Sequence, residues 1–414
     1  MTNTQDPMLR DLIQLAKSPV TRRTVLAGAG VAAGALTLAA CSPGGAKRLS
    51  PAEDLSADEH VVTWDNWPYY MDGESDSSFP SIKAFEQQTG IKVHYNINID
   101  DNNTYYARIK NQLGQGKDTG ADTFCLTDWM AARLINSGLV QELNYKNLPQ
   151  VTKNLDPYFK GSAWSYDPDR AHSLPWKGIT AGIGYHKENY KKLTGKDAPQ
   201  TVADLWAPEL KGKVVVLSEM RDSVGLVLMS QGIDITSADS LTEDAFMAAI
   251  EFVKQQIDGG QIYNVRGNSY LDDLATGNII AATAWSGDIT VINAEQGTED
   301  NPEPYGFIFP DSGVTLWADW FVTPMGATHK KNVEKLINYY YDPVNAAELA
   351  LWVNYITPVV GAQDVAASID PALAENQLIF PNADTLAKSK AFRALSGQEE
   401  QRFSSAWQNL LLGA

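Results

Sequence analysis

The chain has 414 residues, 44% hydrophobic and 20% charged, the balance of a globular protein too long for one ordinary core. Its formal charge of −17 excludes nucleic acid and anionic membrane surfaces as main partners and is compatible with a cationic ligand. Eleven tryptophans and 17 tyrosines suggest stacking surface, of the kind that also suits carbohydrate, in addition to core.

At the N-terminus, Thr21-Arg22-Arg23-Thr24-Val25-Leu26 forms a twin-arginine pattern. The Ala- and Gly-rich apolar run from Val25 to Ala40 is too short and too small-sided for a spanning helix, so it reads as an export signal. It ends Leu38-Ala39-Ala40-Cys41, which resembles a bacterial lipoprotein processing site and implies cleavage before Cys41 and lipidation of its thiol. The expected location is the outer face of the cell membrane, reached by the twin-arginine route and held through that lipid only. Cleavage leaves 29 basic against 48 acidic side chains, a charge near −19, and Cys125 as the one remaining thiol, so no intramolecular disulfide is possible. Residues 41–57 mix Pro, Gly, Ser and charges without periodicity and read as a flexible tether.

The body opens with Val61-Val62, the end of a short strand, and then Trp64-Asp65-Asn66-Trp67-Pro68-Tyr69-Tyr70. Two indoles, two phenols, an acid and an amide in seven residues suit a loop lining a pocket for an organic cation. They suit equally a pair of core indoles with tyrosines covering a turn. A helix over 81–90, a strand over 91–95, a helix over 104–113, a strand over 121–126 and a helix over 129–136 follow. That alternation predicts a mostly parallel sheet with helices on its faces, and ligands collect at the carboxyl ends of such strands. Trp67, Tyr70, Thr127 and Trp129 all fall there.

Residues 173–185 are extended and glycine-rich and read as a crossing into a second lobe. That lobe holds a strand over 213–217, helices over 224–231 and 243–256, and a strand over 279–284 that runs into Trp285. Thr315 to Pro324 is again extended and aromatic, and reads as the return crossing. A helix over 329–341 and a helical tail complete the chain. Two lobes joined by two strands make a hinge with a cleft.

The five histidines (His60, His94, His172, His186 and His329) show no metal-ligand spacing, and no nucleophile elbow or phosphate-binding loop is present. The expectation is therefore a protein without enzymatic activity, metal or cofactor. Glu219-Met220-Arg221-Asp222 places two acids three apart around an arginine at a strand-to-helix turn. This is either a site for a cation or a charge cluster complementing the helix dipole. Trp285 at a strand end, and Trp317 two residues before Asp319, repeat the pairing of aromatic and acid.

From Val61 onward, about 85% of the chain resembles the periplasmic spermidine/putrescine-binding proteins of ABC transporters. The resemblance rests on Asn66-Trp67-x-x-Tyr70, on Phe85 with Thr89-Gly90-Ile91-Lys92-Val93, and on Asp204 to Gly212. The turn from Glu219 to Asp222, Trp317-x-Asp319, and Thr357-Pro358 after Tyr355 also match. It implies an α/β, two-lobed type II periplasmic binding-protein fold, each lobe a mixed sheet flanked by helices, joined by hinge strands. Residues 58–178 and 317–345 would form lobe 1, and 179–316 with 346–414 lobe 2.

The resemblance makes Trp67 and Tyr70 first-lobe walls, with Thr127 and Trp129 on the opposite loop. Glu219 and Asp222 would hold one end of a polyamine, with Arg221 in support. Trp285 and Trp317 would sandwich the methylenes, Asp319 would pair with an internal ammonium, and Tyr355 would close the pocket. A monomer delivering its ligand to ABC permease subunits is implied. Two departures stand out: Pro68 replaces the family's small hydroxyl residue, and a late ligand-contacting glutamine has only Phe392 and Arg393 as equivalents. An arginine there would welcome a carboxylate, so a shorter diamine or an amine that also carries an acid fits as well. An oligosaccharide, or an extracytoplasmic enzyme on this scaffold, is the alternative.

Overall fold

A computed structural model describes residues 49–73, 78–161, 164, 166–167 and 169–413. The twin-arginine segment, Cys41 and the start of the tether lie outside the described residues. The tether was expected to run to residue 57, but it is tied down earlier. The Ala52 N–H donates to the Met325 carbonyl at 2.8 Å, the Leu55 N–H donates to that of Thr328 at 2.7 Å, and Ser56 is buried.

The sheet is built from two similar halves. In the first, β1 (Val61–Asn66) lies between β2 (Lys92–Ile97) and β3 (Thr123–Thr127), all parallel. In the second, β5 (Val214–Leu217) lies between β6 (Ile262–Arg266) and β7 (Ala281–Trp285), again parallel. Each half is closed by a long antiparallel strand: β9 (Val314–Val322) against β3, and β4 (Ser173–His186) against β7. Those two strands, the expected crossings, pair with each other from Ser173↔Val322 to Ala181↔Thr315. The strand order is β2-β1-β3-β9-β4-β7-β5-β6, with β8 (Tyr305–Ile308) beside β4 and β10 (Ser389–Lys390) beside β9.

Helices cover the sheet, and every residue of β3 and β5 is buried; β5 is wholly apolar, while β3 carries a threonine at each end of its apolar centre. On the first half these helices include α1 (Pro80–Thr89), α2 (Asn102–Gln115) and α3 (Asp128–Asn136). On the second they include α4 (Met220–Ser230), α5 (Glu243–Asp258) and α6 (Ser286–Gln296). α4 begins four residues before its expected start, because Glu219 caps it and the charged turn is already helical.

The apolar core separates with the halves. One cluster gathers Trp64, Phe85, Phe124, Leu174 and Phe321, together with Leu336 and Ile337 of α7 (Lys330–Tyr340). It also takes Leu349 of α8 (Pro343–Val353), Ala366 of α9 (Ala362–Ile369) and Phe380. A second gathers Val224, Leu228, Phe246 and Val253 with Phe403 and Trp407 of α10 (Gly397–Gly413). The tail is therefore divided: residues 346–380 pack on the first core, where their apolar faces complete α7, and only α10 with its approach joins the second. Assigning all of 346–414 to lobe 2 does not hold.

Trp64 anchors the first core. It is fully buried, with its ring edge-on to Tyr95 and Trp176 at centroid distances of 5.0 and 5.1 Å. Trp64→Ala removes that contact and leaves a cavity, so urea unfolding should report a loss of about 3–5 kcal/mol. A loss within about 0.5 kcal/mol, the range of surface substitutions, would contradict the placement.

Candidate functional site

The carboxyl ends of β1, β3, β5 and β7 converge on one cleft between the two halves, where an α/β sheet presents loops rather than packed helices. It encloses ≈ 660 Å³ of space, counting open solvent at its mouth. Trp67, Pro68, Tyr70 and Thr127 line one side, Glu219 and Trp285 the other, with Trp317 and Tyr355 on the connecting segments. Pro68 starts the turn after β1. Tyr69 adopts the left-handed conformation at φ 62° and is exposed, which turns Tyr70 back into the cleft. For a residue with a bulky side chain this backbone costs roughly 1–2 kcal/mol, which the surrounding fold must supply.

Each aromatic wall has its polar edge turned away from the cleft and bonded. The Trp285 Nε1–H donates to Asp222 Oδ2 at 2.7 Å, and the Trp317 Nε1–H donates to Asp222 Oδ1 at 3.0 Å. The same Asp222 accepts from Thr315 Oγ1 at 2.6 Å. The Tyr70 hydroxyl donates to Asp319 Oδ2 at 2.6 Å, and Thr127 Oγ1 donates to Asp319 Oδ1 at 2.9 Å. The Tyr355 hydroxyl donates to Asp288 Oδ1 at 3.1 Å, and Tyr270 and Asn268 donate to its other oxygen. The Trp67 indole donates to the Cys125 carbonyl at 3.0 Å. Tyr70 stacks on Tyr355 with centroids 5.2 Å apart, and Trp285 stands edge-on to Trp317 at 6.4 Å.

Asp222 and Asp319 were expected to touch ligand. Both are fully buried, neither lines the cleft, and their oxygens face the walls instead. Trp129 also lies off the cleft: the Arg221 guanidinium covers its ring at 4.5 Å and pairs with Glu400 at 2.6 Å. Arg393 does not face the cleft either. It donates to Glu399 Oε1 at 2.5 Å and to the Leu241 carbonyl at 2.8 Å. Among the described residues, no arginine lines the cleft to receive a carboxylate.

Sequence reasoning missed Asp288, which sits in the first turn of α6 three residues after Trp285. The acid-after-aromatic pattern was there to find it. It also missed Asp100 and Asp101 at the cleft mouth, and the buried Asn102 that bonds Thr127 beside them. Among the described residues, no group of three or more His, Cys, Asp or Glu side chains is placed to hold a metal ion.

Burial dominates the electrostatics. It pushes Glu219 up to about 8, partly offset by Arg221, and Asp319 up to about 7 despite its two hydroxyl donors. It pushes Asp222 and Asp288 up to about 6, each held down by the rings and hydroxyls it accepts from. Glu219 alone of these four lines the cleft, and its Oε1 accepts a long hydrogen bond of 3.4 Å from the Arg221 N–H. A second cavity, behind the hinge, is lined by Phe159, Leu316, Ile356 and Phe380. Its single acid, Asp156, already caps a turn through the Tyr158 N–H. The interlobe cleft is the chemically equipped one.

A family of bacterial extracellular solute-binding proteins matches residues 81–380, and the chain belongs to it. A relative from Haemophilus influenzae, spermidine/putrescine-binding periplasmic protein 1, is 27% identical over 86% of this chain and 90% of its own. The putrescine-binding periplasmic protein PotF of Escherichia coli is 27% identical over 87% of this chain and 93% of its own. Two solved structures share the two-lobed fold. The spermidine/putrescine ABC transporter substrate-binding protein PotD of Streptococcus pneumoniae superimposes with a TM-score of 0.67 at 22% identity, covering 85% of this chain and 98% of its own. The TpPotD lipoprotein of Treponema pallidum gives 0.69 at 18% identity, covering 85% and 99%.

The raised carboxylates make a signed pH dependence. Their unfolded values lie near 4, so between about pH 4 and 8 these acids bind more protons in the native state than in the unfolded one, and their contribution to stability falls as pH rises; buried Lys177, pushed down to about 7, opposes them only above about pH 7. His329 adds in the same direction: burial opposes its charge, but Glu59 and Asp122 hold its pKa up. Asp204 and Glu399, held down at about 2, lose their contribution only below that window. The ligand-free protein should therefore melt at a higher temperature at about pH 5.5 than at about pH 8. A melting temperature that rises across this interval would contradict the burial of these acids.

Proposed function

We propose that this solute-binding protein captures a polyamine of the putrescine/spermidine class in the interlobe cleft and delivers it to an ABC permease. It acts as a monomer that is exported by the twin-arginine route and anchored through lipid on Cys41. Capture, rather than catalysis, is its role.

One observation carries the reading. The cleft presents aromatic faces whose N–H and O–H edges are all spent on buried carboxylates or a backbone carbonyl. Faces backed by negative charge attract cations, because the ring quadrupole and the carboxylates act in the same direction. A sugar needs those edges and carboxylates free to bond its hydroxyls, and here they are occupied. The alternative of an amine that also carries an acid loses its motive with Arg221 and Arg393 both paired elsewhere.

The magnitudes suffice. A desolvated cation–π contact contributes about 1–2 kcal/mol, and a charge-assisted hydrogen bond to Glu219, once the ammonium displaces the proton that burial holds there, roughly 1.5–3. A micromolar affinity needs about −8 kcal/mol net. Closure would follow from a ligand touching Trp67 and Tyr70 on one lobe and Glu219 and Trp285 on the other.

Titration calorimetry should give saturable heat with putrescine or spermidine and none with maltose. Glu219→Gln should weaken the amine about 10- to 100-fold by removing one charge-assisted bond. No heat with any polyamine, or binding of the sugar untouched by that substitution, would overturn the assignment.

A further inference from the structure

The cavity behind the hinge offers a ligand something different from the cleft. It encloses ≈ 740 Å³ of space, counting open solvent at its mouth. Small-molecule sites span roughly 300–1,000 Å³. Phe159, Leu316, Ile356, Phe380 and Leu386 give it an apolar lining. The polar groups beside them are engaged elsewhere: Asp156 Oδ1 accepts from the Tyr158 N–H at 2.8 Å, and Gln363 Nε2 donates to the Ala374 carbonyl at 2.9 Å. Among the described residues, Asp156 is the one charged side chain in the lining, so an anion finds no counter-charge there. Such a site selects by shape and apolar contact.

Its walls are the hinge itself. Leu316 belongs to β9. Ile356 exchanges backbone bonds of 2.8 and 3.0 Å with Gly178 of β4. A Cβ on Gly178 would press on Ile356 at 3.2 Å and on the Phe159 ring at 3.4 Å, so strand and cavity wall are in close contact. Leu386 lies on a third connection between the halves. There the chain leaves the first core at Phe380, pairs with β9 through Ser389 and Lys390, and packs on the second core at Phe392. The halves touch in this structure, with Arg221 of α4 over the Trp129 ring of α3 at 4.5 Å. A molecule filling the cavity would hold all three connections in the arrangement that goes with that contact.

We propose that this cavity is a second binding site, for an uncharged apolar molecule about the size of indole, and that its occupation favours the arrangement in which the halves meet over the cleft. The site goes beyond the polyamine reading; only its linkage to the cleft is read out through a polyamine.

The test titrates indole into the full chain by calorimetry, with putrescine saturating so that the aromatic cleft is occupied. Indole should bind with a Kd on the order of 0.1–1 mM. Val360 lines the mouth and is 49% exposed, so its replacement leaves the core intact. Val360→Trp should plug the cavity and weaken indole at least about tenfold, whereas Val360→Ser, which leaves the mouth open, should change it less than about threefold. Indole should tighten putrescine about fivefold, and putrescine should tighten indole by the same factor. No indole binding, binding indifferent to Val360→Trp, equal loss in Val360→Ser, or putrescine affinity untouched by indole would overturn the inference. If putrescine itself gives no heat, the polyamine assignment fails instead, and the indole titrations of the three chains decide the cavity on their own.

Discussion

The carboxylate of Asp222 is the contact on which the cleft depends. It takes the Trp285 indole from the end of β7, and the Trp317 indole and Thr315 hydroxyl from β9, so one side chain fixes two walls to the hinge. Burying that charge is unfavourable, as its upward shift to about 6 records. Three short donors offset the cost, and the residual negative charge is placed behind aromatic faces. Asp319 and Asp288 repeat the arrangement for Tyr70 and Tyr355. Position three of α4 is what makes this possible. Glu219 caps the helix at the cleft surface, and Asp222, one turn deeper, points to the sheet.

The fold makes such a site adjustable. β4 and β9 are the strands shared by both halves, and Trp317 and Asp319 sit on β9 within the stretch where it pairs with β4. A rotation about these strands would change the distance between Tyr70 and Glu219 while leaving the bonds from Trp317 and Thr315 to Asp222 close to the axis. Arg221 links the halves from outside the cleft, between the Trp129 ring, Phe392 and Glu400. A cation on an aromatic face is thus used twice in this molecule: once within the protein, and once, in our reading, for the ligand.

Much of this was legible in the sequence. The strand and helix alternation gave the sheet, the glycine-rich and aromatic extended segments gave both crossings, and the cluster after β1 gave one wall. Side-chain direction was not legible. Whether an acid beside a tryptophan is open to the cleft depends on what packs over it. Asp319 shares a face of β9 with Trp317 but is covered by the Tyr70 and Thr127 hydroxyls it accepts from, and Asp222 is covered by two indoles and the Thr315 hydroxyl. Arg393 was ambiguous for the same reason, and its partner Glu399 lies in the first turn of the next helix, α10. The tail was misassigned because short helices such as the largely apolar α8 and the amphipathic α9 carry no mark of which core they will join.

The most direct measurement is a crystal structure of the protein with putrescine bound. The account predicts one ammonium hydrogen-bonded to Glu219, methylenes and the second ammonium against the Trp285, Trp317 and Tyr70 faces, and the bonds from those walls to Asp222 and Asp319 intact. A ligand nitrogen bonded directly to Asp222 or Asp319, with the indole or phenol displaced, would contradict it.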